Sequence, residues 1–84
     1  MPWQALFADS AAAAAVGRQY LRNHPQEASA PWLTDILFGS EPSMEKIRLG
    51  RERDFRDGDV VVIEGWFYAR TEARLLALLS IYPA

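Results

Sequence analysis

The sequence contains no cysteine and a single histidine, His24. Disulfide staples and thiolate chemistry are excluded, and one imidazole cannot build a histidine-rich metal site. A Ser-His-Asp arrangement would have to use His24, which stands in Asn23-His24-Pro25 and reads as a helix-stopping surface or capping residue. The five glycines include Gly50, Gly58 and Gly65, too scattered to cradle a phosphate. No uncharged apolar run approaches the roughly 18 residues of a membrane span. Positive charge is also short: the net charge is −2, which weighs against general nucleic-acid binding, where a basic footprint is needed. The opening stretch MPWQALFADSAAAAAVG has neither the basic region nor the long apolar run of a secretory leader. The chain as written is therefore expected in the cytoplasm, or in the periplasm if a leader has been removed. No cofactor is implied.

What remains is apolar. Hydrophobic residues make up 50% of the 84 positions and aromatics 12%, far above the composition of disordered chains. The length allows one domain, residues 1–84, that buries only about 60% of its unfolded surface. Folding is then marginal unless the core is efficient or a partner covers part of it.

A first helix is predicted from Pro2 to Arg22, with Asp9 as a second possible start, the alanine run Ala11–Ala15 as its best helix former, and Asn23-His24-Pro25 as its stop. A second runs from Glu27 to Phe38, with Pro31 in its first turn, an apolar stripe of Trp32, Leu33, Ile36 and Leu37, and Gly39 after its end. A third, Ser43 to Arg56, is capped by Ser43 or Ser40. It interleaves Arg48, Arg51, Arg53 and Arg56 with Glu45, Glu52 and Asp54, a pattern that reads first as a self-neutralising solvated face. After the Asp57-Gly58 turn signal, Asp59 to Ala69 has strand composition, with Val60–Ile63 β-branched and Trp66, Phe67 and Tyr68 aromatic. No second strand is evident elsewhere. The stretch must fold as a hairpin about Glu64-Gly65, lie extended over helices, or pair with another molecule. The last helix starts with Thr71 as cap and Glu72 in its first turn, carries Leu75, Leu76, Leu78, Leu79, Ile81 and Tyr82 around most of its circumference, and stops at Pro83.

The expected architecture is a mainly α single domain, a bundle of about four helices with one short extended or hairpin segment before the last. Glu64, flanked by valine, isoleucine and tryptophan, is expected to be buried and paired with Arg70 or Arg74 at the strand-to-helix corner. Trp66 is expected to pack into the core against the first or last helix. Leucines on most sides of the last helix exceed what a small core should cover. An interface of Val61, Ile63, Trp66, Phe67, Tyr68, Leu75, Leu76 and Leu79 is expected, serving a protein partner or a homodimer.

Two stretches also carry a resemblance. Asp54-Phe55, Gly58, Val60–Ile63, Gly65-Trp66 and Arg70-Thr71-Glu72-Ala73-Arg74-Leu75 follow the pattern D-F-x-x-G-x-x-V-x-V-x-G-W-x-x-S-x-T-E-A-R-L, with Ala69 where the pattern has serine. Upstream, Gly17 to Ala28 reads G-R-x-Y-L-x-x-H-P-x-E-A. Together, over about Ala11 to Leu79, the chain resembles small bacterial twin-arginine-pathway signal proteins, some of them likened to the small subunits of sorbitol- or gluconate-type dehydrogenases. No twin-arginine leader is present. The resemblance implies a non-catalytic accessory or escort protein that binds a larger partner, an oxidoreductase among the candidates. The alternative is a small regulatory nucleic-acid-binding module using the arginine-rich third helix.

Overall fold

The structure, a computed structural model, describes residues 10–81. The expected helix start at Pro2 or Asp9 and the stop at Pro83 lie outside these residues. Within them the chain runs α1 (Ser10–Asn23), a 3₁₀ turn (Pro25–Glu27), α2 (Ala30–Phe38), α3 (Met44–Asp57), β1 (Val60–Ile63), β2 (Trp66–Ala69) and α4 (Arg70–Ile81). It is mainly helical, with a small antiparallel hairpin before the last helix, as expected.

Local chemistry accounts for most boundaries. The Ser29 hydroxyl accepts from the Trp32 amide (3.3 Å) to start α2, and Ser43 accepts from Glu45 (3.2 Å) to start α3. At the end of α3, Gly58 is left-handed (φ 72°, ψ 18°). The hairpin pairs Val60 with Ala69, Val61 with Tyr68, Val62 with Phe67 and Ile63 with Trp66. Only Glu64 and Gly65 remain for the turn. Both have positive φ (54° and 80°), the signature of the tight turn whose twist matches paired strands. A two-residue turn therefore supplies the second strand from within the segment itself.

Helix α4 is the hub: α1, α2, α3 and both strands all pack on it, α1 most extensively. The four largest fully buried side chains come one from each helix, Tyr20, Leu33, Ile47 and Leu76. Leu75, Leu76 and Leu78 are all buried, and Leu79 packs partly buried against the same core. The chain's own elements thus cover the leucines expected to need a partner, because three helices and a hairpin surround α4. Among the described residues no helix is long and apolar enough to cross a membrane.

The α1–α4 contact is made backbone to backbone. Ala73 and Ala77 of α4 are fully buried, and a Cβ placed on Gly17 would collide with the main chain of Leu76 and Ala77. In an open helix, Gly17→Ala would stabilise by about 1 kcal/mol through propensity. Here it is expected to destabilise by roughly 1–3 kcal/mol, because the helices must move apart. Urea denaturation of the variant checks the sign; an unchanged or raised midpoint would mean that α1 and α4 do not meet at Gly17.

Candidate functional site

The side chains capable of chemistry gather where α4 begins. Its N-cap position is Ala69, which has no side-chain oxygen to offer the free amides of the first turn. Asp54, near the end of α3, supplies the missing acceptor: its Oδ2 takes the Thr71 amide at 2.6 Å. Glu72, the third helical residue, reaches back to accept from the Ala69 amide at 2.8 Å, half of a capping box. Its other oxygen accepts from Arg51 Nε at 2.9 Å. Asp54 and Glu72 are only 4% and 2% exposed, so these bonds are what makes burying two carboxylates tolerable. Thr71, expected as the cap, is instead the second residue inside the helix, buried against Gly50.

A second cluster joins the end of α1 and the 3₁₀ turn to the first turns of α4. Glu27, 6% exposed, accepts from the Tyr20 hydroxyl (2.8 Å) and from Arg74 Nε (3.0 Å). Arg70 donates to the Tyr20 hydroxyl (3.4 Å) and reaches Asp59 (3.1 Å) and His24 Nε2 (3.3 Å). His24 stacks on Tyr20 with ring centroids 4.3 Å apart, and its Nδ1 lies 3.0 Å from the Tyr20 carbonyl. A carbonyl only accepts and a guanidinium only donates. His24 must therefore carry its proton on Nδ1 and offer Nε2 to Arg70. Burial pushes the Tyr20 phenol above its ordinary range, Arg70 pulling against it. Burial alone would also raise Glu27, but hydrogen bonds from Arg74 and Tyr20 outweigh it and hold the carboxyl below its ordinary value.

The expected Glu64 pair is corrected by these contacts. Glu64 is exposed in the hairpin turn, while Arg70 pairs with Asp59 and Arg74 with Glu27. The apolar residues beside Glu64 in sequence are not its neighbours in space, because the turn aims it into water. The signal for the cap that Asp54 supplies is present but weak: an acidic residue near the end of α3, and a helix start with alanine where a cap is needed. The arginine-rich face of α3 is largely neutralised. Arg48 bridges Glu45 and Glu52, Arg51 meets Glu72, and Arg56 meets Asp57.

The expected interface divides in two. Ile63, Tyr68, Leu75 and Leu76 are buried in the chain's own core, and Val61 and Leu79 pack partly buried against it. Trp66 and Phe67 stand out. Phe67 is 70% exposed, Val62 opposite it 56%, and Trp66 at the hairpin tip 54%. Trp66 thus does not enter the core as expected. The turn places it opposite Ile63 at the tip of the hairpin, whose buried contacts are made by Ile63, Tyr68 and Ala69. Among the described residues, no group of three or more histidine, aspartate or glutamate side chains is placed to hold a metal ion.

Compared with family models, curated proteins and solved structures, the chain matches none.

Two outcomes follow from the buried carboxylates. Asp54→Ala leaves the Thr71 amide buried without an acceptor and is expected to destabilise by about 1–3 kcal/mol. Adding Ala69→Ser, which restores a hydroxyl at the N-cap, should recover about 0.5–1 kcal/mol. Denaturation of both variants measures this, and a double variant no better than the single one would remove Asp54 from the capping role. For Glu27, the folded-state pKa lies below the unfolded one. Its contribution is therefore complete above pH 4.5, the ordinary value, and is lost as pH falls through the lowered one. Glu27→Gln should be less stable than the parent at pH 7 and lose less on acidification; parallel melting curves across pH 2–7 would contradict the pairing.

Proposed function

We propose that this is a small non-catalytic accessory protein that binds a larger protein partner through the tip and outward face of its hairpin. The observation that carries the reading is the exposure of Val62, Phe67 and Trp66 together on one short hairpin. Strand pairing and core packing do not require aromatics there. Val62 and Phe67 share the outward face and Trp66 pairs with Ile63 on the other, so from their exposed fractions the three leave roughly 300–400 Å² of apolar surface wrapped around the hairpin end.

The area also separates partner from second copy. Two hairpins face to face would bury about half of the roughly 800 Å² per side that a stable complex needs. A convex tip bearing two aromatics suits a concave pocket on a larger molecule, where such residues act as anchors. A non-catalytic role is supported by His24, Glu27, Asp54 and Glu72, each held in internal hydrogen bonds. The resemblance to small twin-arginine-signal proteins, some of them likened to small subunits of sorbitol- or gluconate-type dehydrogenases, makes such an oxidoreductase the first partner to test.

The test uses the double variant Trp66→Ser, Phe67→Ser. Both positions are exposed, so each change is expected to alter stability by no more than about 0.5 kcal/mol. The parent should sediment as a monomer at micromolar concentration and form a complex with the dehydrogenase's catalytic subunit, and the variant should not form it. A complex that survives the double change would move the interface elsewhere. A parent homodimer dissolved by the same changes would replace the larger partner with a second copy.

A further inference from the structure

A second surface lies away from the hairpin. Between α2 and α3, over α4, runs an open groove of about 520 Å³, walled by Ile36 and Leu49, each 50% exposed. Lys46, Arg53 and Arg74 line it, and no carboxylate does. In a chain of net charge −2, this is a local inversion of sign.

The spacing along α3 defines the shape of what would fit. Lys46, Leu49, Gly50 and Arg53 fall at i, i+3, i+4 and i+7, one helical face. The two cations stand about 10 Å apart along the axis. Between them Gly50, tight against Thr71, leaves the floor without a side chain. These two cations are also the ones α3 does not neutralise closely. Lys46 donates to two carbonyls, Phe38 (2.6 Å) and Glu41 (3.0 Å), and forms no ion pair among the described residues. Arg53 has a 61% exposed side chain, and its nearest carboxylate, Asp54, is 3.8 Å away with one oxygen held by Thr71. Arg74 is already paired with Glu27 and stacked over Trp32.

We infer that this groove docks an acidic amphipathic helical segment of a protein partner, its leucine-type side chains between Ile36 and Leu49 and two carboxylates, two turns apart, on Lys46 and Arg53. A lone small anion would satisfy one cation and leave the apolar span open. An amphipathic helix with acidic residues at i and i+7 and apolar ones at i+3 and i+4 matches both features at once. The volume lies in the range of working binding pockets, about 300–1,000 Å³. The inference does not depend on the hairpin.

The experiment is a titration of the ¹⁵N-labelled full chain with a blocked helical peptide of about two heptads, carrying glutamates two turns apart around leucines, and with its glutamine counterpart. The acidic peptide should shift the amides of Ile36, Leu49, Gly50 and Arg53, and bind more weakly as salt rises. Arg53→Glu should weaken binding by about tenfold, and Lys46→Glu, Arg53→Glu by more. The Arg53 side chain is 61% exposed and makes no hydrogen bond among the described residues, so its single variant remains a fair test if the Lys46 change disturbs the fold. Trp66→Ser, Phe67→Ser should leave peptide binding unchanged. Equal binding of the glutamine peptide, shifts confined to the hairpin, or no shifts at millimolar peptide would overturn the inference. So would decanoate shifting these amides where the acidic peptide does not, since that describes a site for small amphiphiles.

Discussion

The fold depends on how helix α4 is allowed to begin. It follows β2 without a loop, so its first amides emerge inside the protein, beneath α3, where water cannot satisfy them. A buried amide without an acceptor costs about 1–3 kcal/mol, a large part of the stability of so small a domain. The local sequence has no oxygen at the N-cap. Two carboxylates from different parts of the chain fill the need, Asp54 from α3 and Glu72 from within α4. Each must be desolvated to do so. For Glu72 the ion pair with Arg51 makes that possible, a second tie between α3 and α4. Capping, charge pairing and helix packing are here one construction. With the start of α4 fixed, Leu76 falls at the centre of the core and Ala73 and Ala77 face Gly17 of α1.

The same economy explains the second cluster. Tyr20 is fully buried, yet its hydroxyl must find partners. Glu27 provides one, and it can be buried because Arg74 and Tyr20 converge on it. The link ties the end of α1 and the 3₁₀ turn to α4. The stretches 17–27 and 70–76, far apart in sequence, therefore meet in space. Gly17, Tyr20, His24 and Glu27 from the first face Arg70, Arg74 and the Leu76 region from the second. Every one of these contacts is satisfied internally, which reads as scaffold. Outside this scaffold lie the hairpin tip and the cationic groove.

The helices and the hairpin were legible because their signals are local. Ser29 and Ser43 cap where serine should, Gly39 and Gly58 follow helix ends, and Glu64-Gly65 marks a turn. The structure departs from the sequence reading where sequence neighbours part company in space. Glu64 sits among apolar residues along the chain, but a two-residue turn separates its side chain from them. Trp66 follows the same turn and is carried to the tip. Thr71 has the right chemistry for a cap, but β2 continues directly into α4, so the helix starts two residues earlier than a threonine cap would set. The leucines of α4 looked too many for self-coverage. Alanine and glycine let α1 approach closely, which frees the other sides of α4 for α2, α3 and the hairpin. Asp54 was invisible as a cap because its bond spans seventeen residues.

The exposed hairpin face then needs a reason of its own. A two-stranded hairpin is marginal in isolation, and this one is held by Ile63, Tyr68 and Ala69 on the core. Val62 and Phe67 oppose each other on the outward face, where their cross-strand contact adds only about 0.2–1 kcal/mol. Threonine would serve the strand nearly as well there and would not present apolar surface to water. Trp66 is further from the core still, and a polar residue at the tip would not weaken the packing below it. Folding, which accounts for nearly every buried polar group in this chain, gives no account of these three side chains. A binding role does, because a desolvated aromatic at the centre of an interface is worth several times what it contributes on an exposed strand.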